Sequence, residues 1–133
     1  MIQISRATID DIVAHARETA PGECCGLLLG QGDAVVASAR AVNIAADPTR
    51  RFEIDPQDHL DARRDARRRG LAVLGFYHSH PRSSAGPSPT DLAEANYPDH
   101  LYLIVSLAAA APDLGLFRLE GGNFQPTAFV TVG

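Results

Sequence analysis

Ile2 and Ile4 alternate with Gln3 and Ser5 at the start of the chain, a period of two that predicts a short strand. The period then lengthens. Ile9, Ile12, Val13 and Ala16 recur at helical spacing, Thr8 and Asp11 form a capping-box pattern, and Pro21-Gly22 breaks the run. A first helix over residues 8–20 is expected. Residues 24–29 and 34–43 are apolar and in part rich in strand formers, and Gly30-Gln31-Gly32-Asp33 between them suits a hairpin turn. Glu23 thus stands where a strand begins. Asp55-Pro56-Gln57-Asp58 supplies a cap, a proline at the first helical position and an acid in the first turn, and Gly70 ends this second helix. Residues 71–77 form a continuous apolar run, the pattern of a strand buried on both faces, with His78 and His80 at its end. Ser88-Pro89-Thr90-Asp91 opens a third helix that Pro98 closes. Residues 101–107, 114–119 and 124–132 complete the strands, with Gly121-Gly122-Asn123 as the turn between the last two. Helices interspersed among strands and hairpins predict an α/β fold, a mixed sheet with helices packed on it.

Composition narrows the picture. With 133 residues, 45% of them hydrophobic, the chain builds one core, and no internal repeat or low-complexity linker divides it, so residues 1–133 are read as one domain. A net charge of −4 gives no basic surface for a phosphate backbone, so nucleic acid is not an expected partner. The opening MIQISRATIDD lacks the regions of a signal peptide, and no apolar run approaches the roughly 20 residues that span a bilayer. A cytoplasmic protein without a membrane partner is expected. The only cysteines, Cys24 and Cys25, are neighbours; a bridge between them would strain the intervening peptide, so both are read as packed thiols. A thiolate reaching a metal from this pair is a minor alternative. All 12 basic residues are arginine, and the cluster Arg63, Arg64, Arg67, Arg68 and Arg69, interleaved with Asp61 and Asp65, reads as a solvated helix face.

The chemistry lies around the two histidines. Alternate residues of a strand point to the same side, so His78 and His80 can face one ion, with Cα atoms roughly 6.6 Å apart, while Ser79 points away. Residues 82–87 then form a loop of small and rigid residues, long enough to bring the next helix back over the histidines and deliver Asp91 as third ligand. Two imidazoles and a carboxylate hold zinc with its fourth position free for water, the arrangement of a catalytic site. Such a water needs a base, and Glu23 is the candidate, since a carboxylate at the start of a buried strand is otherwise unusual. Ser88 could donate to an oxyanion. Ser88-Pro89-Thr90-Asp91 is also a good helix start by itself, with Ser88 as cap and Asp91 at the positive end of the helix, and the two roles are compatible. His15 and His59 read as partly exposed helix residues, and His100 is a weak ligand candidate.

Two competing chemistries lack support. Two histidines and a carboxylate also form the facial triad of non-haem iron oxygenases, but that jelly-roll scaffold has few helices, whereas three capped ones are predicted. A zinc deaminase needs a separated cysteine pair, which Cys24-Cys25 is not.

Glu23, His78-Ser79-His80-Pro81, Ser88 and Asp91 together resemble the signature of the JAMM (MPN+) zinc metalloproteases, Glu…His-Ser/Thr-His-Pro…Ser-x-x-Asp. Glu23-Cys24-Cys25-Gly26-Leu27-Leu28 and Phe52-Glu53-Ile54-Asp55-Pro56 are similar to the short bacterial members, so the resemblance covers nearly the whole chain. It implies a curved mixed β-sheet flanked by helices, a cytidine-deaminase-like architecture. It also implies His78, His80 and Asp91 as zinc ligands, Glu23 as acid/base and Ser88 as oxyanion donor. The implied activity is hydrolysis of the amide after the C-terminal glycine of a ubiquitin-like protein. For a chain this short, the implied substrate is a small sulfur-carrier protein whose C-terminal tail enters by strand addition. The alternative is a noncatalytic scaffold of the same family that binds a ubiquitin-like partner.

Overall fold

Cys25, Leu27 and Leu29 face one way and Cys24 and Leu28 the other, so the chain around the central strand is buried on both sides by two separate apolar clusters. This arrangement comes from a computed structural model that describes residues 1–133. The elements in order are β1 (Ile2–Ser5), α1 (Arg6–Thr19), β2 (Cys25–Gln31), β3 (Ala34–Ala41), α2 (Pro56–Arg68) and β4 (Ala72–His80). After them come α3 (Pro89–Glu94), β5 (Leu101–Ser106), β6 (Asp113–Glu120), β7 (Asn123–Pro126) and β8 (Phe129–Val132). One eight-stranded sheet is ordered β7-β6-β5-β4-β2-β3-β1-β8. It is mixed: β1 runs parallel to β3 and β8, and β4 runs parallel to β5.

The sheet curls, and connectivity requires it. Strands β7 and β8 lie at opposite edges of the order, yet only Thr127 and Ala128 separate them. Three Cα steps reach at most roughly 11 Å, so the two edges must approach each other. The expected single strand over residues 124–132 is therefore two strands. Pro126 has no N–H with which to continue a ladder, and Thr127 donates instead to the Leu116 carbonyl before the chain crosses to β1.

Helix α1 lays Ile9, Ile12 and Ala16 on one face against Ile4, Leu28, Tyr77, Leu103 and Val105. Helix α2 lays Ala62 and Ala66 on the other face against Cys25, Leu27, Leu29 and Phe76. Leu27, Leu28 and Leu29 are fully buried, each worth about 2 kcal/mol of apolar transfer. Three local expectations shift. The cap of α1 is Ser5 rather than Thr8: the Ser5 hydroxyl accepts the Thr8 N–H at 3.2 Å, so Thr8 sits buried inside the first turn. Strand β3 stops at Ala41, leaving Asn43 in an isolated bridge with Ile54. Helix α3 ends at Glu94, short of Pro98, because Ala95 turns extended and Tyr97 packs its ring against Phe76 and His100. No helix is long and apolar enough to cross a membrane.

His15 departs from the sequence reading more sharply. It is buried at 9% exposure, and its Nδ1 lies 2.7 Å from the hydroxyl of Tyr77, whose ring lies over Gly26 where no side chain would fit. The phenol and the ring nitrogen share this one hydrogen bond. Burial lowers the His15 pKa from 6.5, with Arg40 adding to the effect and Glu18 opposing it. The unfolded chain therefore takes up a proton near pH 6.5 that the folded protein still refuses. This contribution to stability is present above pH 6.5 and is lost as pH falls toward the folded value. His15→Gln is expected to flatten the slope of unfolding free energy below pH 6.5, read by urea denaturation at several pH values. An unchanged slope would contradict it.

Candidate metal centre

The parity of β4 decides where its histidines point. Phe76 packs in the cluster under α2 and Tyr77 in the cluster under α1, so His78 and His80 fall on the α2 side and Ser79 on the α1 side. Ser79 there accepts the Cys24 N–H at 2.8 Å. Because β4 is paired on both flanks, with Cys25 and Ile104 beside His78, the two imidazoles project from a rigid strand. The loop after Pro81 then folds inward. The Ser83 carbonyl accepts from the Ser106 hydroxyl at 2.5 Å, and the Ala85 carbonyl packs so closely on Gly115 that a side chain there would collide.

That loop delivers α3. Ser88 is its N-cap: the hydroxyl accepts the Asp91 N–H at 3.0 Å, while Asp91 Oδ2 accepts the Ser88 N–H at 2.9 Å. The reciprocal pair holds the Asp91 carboxylate over the end of β4. The same oxygen lies 3.0 Å from His80 Nε2 and 3.2 Å from His78 Nε2, and the two ring nitrogens are 3.2 Å apart. His78, His80 and Asp91 are 2%, 4% and 9% exposed, so no water layer screens them. These three are the residues able to hold a metal ion.

Hydrogen bonding fixes what the nitrogens present. His80 Nδ1 is 2.7 Å from the Ser84 carbonyl, which can only accept, so the Nδ1 proton points there and Nε2 turns to the cluster. Three donor atoms then converge on one point. Zinc bonds of about 2.0–2.1 Å at tetrahedral angles separate ligand atoms by roughly 3.3 Å, close to the spacing found, and nitrogen and oxygen donors suit that ion. Burial by itself would raise the Asp91 pKa, but the His78 and His80 imidazoles against its oxygen reverse this and hold the carboxyl well below its usual range. Asp91 is a carboxylate. Burial also lowers the His78 pKa.

Glu23 enters from just before β2. It is 6% exposed and its Oε1 is buried without a hydrogen-bond partner, an arrangement that penalises the ionised form. Burial pushes its pKa up to about 7, with His80 opposing the rise and Asp91 and Glu94 reinforcing it. In the metal-free protein the carboxyl therefore exchanges a proton near neutral pH.

Beside His78 and Asp91 opens a cleft of about 970 Å³, lined in part by Phe52, Ile54, Phe76, Tyr102, Ile104 and Phe117. Phe52 stacks on the His78 ring at 4.3 Å and 21°. Neither this stacking nor the Ser84 carbonyl could be read beforehand, since both come from loops that carry no periodic signal. His59 lines the cleft and accepts from Arg63 Nε at 2.8 Å, while His100 stays by the Pro98 carbonyl; neither joins the metal group. Cys24 and Cys25 are buried free thiols, pushed up to about 11 and about 12 by burial, as expected of packed side chains.

A family model described as prokaryotic homologues of the JAB domain matches residues 5–120. The desampylase of Haloferax volcanii is 42% identical over 103 residues, 73% of this chain and 74% of that protein. The CysO-cysteine peptidase of Mycobacterium tuberculosis is 33% identical over 100 residues, 74% of this chain and 68% of that protein. The solution structure of a protein from Desulfitobacterium hafniense is similar with a TM-score of 0.89 at 33% identity, covering 99% of this chain and 93% of the other.

Proposed function

The chain belongs to the family of prokaryotic homologues of the JAB domain, and from that membership we propose that it is a zinc-dependent peptidase acting on the C-terminal tail of a ubiquitin-like carrier protein. Its scissile bond is the amide after the terminal glycine of that carrier. The observation that carries this reading is the convergence of His78, His80 and Asp91 beside a buried, protonatable Glu23 and an open cleft. The relatives named desampylase and CysO-cysteine peptidase support a hydrolytic reaction on such a carrier.

Zinc held by His78, His80 and Asp91 would supply Lewis acidity and bring the pKa of a water toward about 7. The protein's own groups do the rest. Glu23, a buried carboxyl beside the ligands, accepts the proton of the attacking water and returns it to the leaving amine. The Ser88 oxygen is engaged as acceptor by the Asp91 N–H, which leaves its own O–H to donate to the carbonyl oxygen of the cleaved bond. The aromatic cleft receives the extended tail, and its apolar walls keep bulk water from the reacting centre.

The test is incubation of zinc-loaded protein with the host's ubiquitin-fold carriers, each extended beyond a terminal Gly-Gly by a cysteine or a short peptide. Mass spectrometry is expected to show loss of the extension alone, and a chelator is expected to abolish it. Intact carriers throughout, with a folded and zinc-replete protein, would favour a noncatalytic binding role instead.

A further inference from the structure

Glu23 lies outside the sheet, and both of its main-chain groups are held by the segment between β3 and α2. Its N–H donates to the Pro48 carbonyl at 2.7 Å, and its carbonyl accepts from Asn43 Nδ2 at 3.0 Å. The same Asn43 amide group donates to the Arg51 carbonyl at 3.0 Å, while Asn43 Oδ1 accepts the N–H groups of Ala45 and Glu53, each at 3.0 Å. A carboxamide has two donor hydrogens and two acceptor lone pairs, and here all four are used. Beneath them the segment is closed by Ile44 N–H to the Glu53 carbonyl and Asp55 N–H to the Val42 carbonyl.

Two residues of this segment contact the elements that carry the metal ligands. Phe52 stacks on His78, and Arg51 pairs with Glu94 of α3 at 3.4 Å. Asn43 therefore ties the backbone of the proposed acid/base residue to the loop that roofs one proposed zinc ligand. Glu23 needs such an anchor, because its carboxyl oxygen has no hydrogen bond of its own to aim it.

Resting on the peptidase reading above, we infer that Asn43 is a positioning residue that holds Glu23 in register with the zinc ligands without touching substrate or metal. Asn43→Asp keeps the shape and removes both donors, setting a carboxylate oxygen against the Glu23 and Arg51 carbonyls. A displacement of the order of 1 Å in a reacting group lowers rate by up to about 10²-fold. The expected result, on the extended ubiquitin-fold carrier, is a kcat lowered roughly 10- to 100-fold with KM changed less than about twofold and zinc content equal to the parent's. Asn43→Ala, which removes the donors without adding a charge, is expected to lose kcat in the same direction by a smaller factor, and carries the test should Asn43→Asp fail to fold. A folded variant with parental kcat overturns the inference, as does a loss that falls on KM or follows the loss of zinc. Glu23→Gln serves as control. A parent that cleaves no extended carrier overturns the functional reading and this inference together, whereas a cleaving parent, an inactive Glu23→Gln and a fully active Asn43→Asp overturn this inference alone.

Discussion

Glu23→Gln is expected to retain zinc and to cleave the extended carrier about 10²–10⁴-fold more slowly than the parent, the range that a positioned proton-transfer group contributes. Glutamine keeps the volume of the side chain and cannot take a proton. The carboxyl it replaces is 6% exposed and has no hydrogen bond at its buried oxygen, so it is free to take the proton of a water beside it and to return it. Single-turnover cleavage together with zinc quantification checks this, and undiminished cleavage would remove Glu23 from the mechanism. The same substitution has a stability signature of opposite sign. In the metal-free protein the folded-state pKa of about 7 lies above the ordinary 4.5, so the stabilisation from binding this proton is complete below pH 4.5 and is lost as pH rises through 7. Metal-free Glu23→Gln escapes that loss. Its melting temperature is expected to exceed the parent's at pH above 7 and to match it below pH 4.5. Equal melting at both ends would show that Glu23 carries no buried-charge penalty.

Asp91→Ala is expected to abolish zinc retention at micromolar metal and to lower cleavage by more than about 10³-fold, since a bound metal's contribution of several kcal/mol disappears with it. One oxygen explains the size of the effect. Asp91 Oδ2 serves the Ser88 N–H, His80 Nε2 and His78 Nε2 within 2.9–3.2 Å, so its removal unlatches α3 from the strand end as well as deleting a ligand. Asp91→Asn separates the two roles. Its neutral oxygen can still accept the Ser88 N–H, restoring much of the cap, worth about 1 kcal/mol, without the charge that zinc requires. Thermal stability of the metal-free protein should therefore recover in Asp91→Asn while zinc content does not. A zinc-replete, active Asp91→Ala would place the third ligand elsewhere.

The legible part of the site was its strand geometry. His78 and His80 share a face because any strand alternates, and the apolar run before them marked that strand as central. Ser88 and Asp91 were legible as a helix start, and the structure makes them a capping box whose acid also turns toward the histidines. The partners that orient these residues were not visible. The Ser84 carbonyl, the Phe52 ring and the Asn43 amide act from loops, where no periodicity announces a side chain's direction. Thr8 has the residue type of a cap, but Ser5, three residues earlier, serves equally well by type and wins the Thr8 N–H. His15 looked like a surface residue because nothing near it in sequence announces Tyr77, its partner 62 positions away.

By itself the sequence determined which residue types stand at which parity and spacing: a two-histidine strand end, a capped helix start carrying an acid, an upstream glutamate and helices distributed among strands. Those properties are local, set by the pleat of a strand and the hydrogen-bonding needs of a helix terminus. Only the tertiary structure decided that the acid meets the histidines within 3.2 Å, that Glu23 loses its water, and that β8 pairs with β1 across a curled sheet. Each of these depends on packing between segments far apart in the chain, where burial removes solvent and sets both the distances and the pKa values.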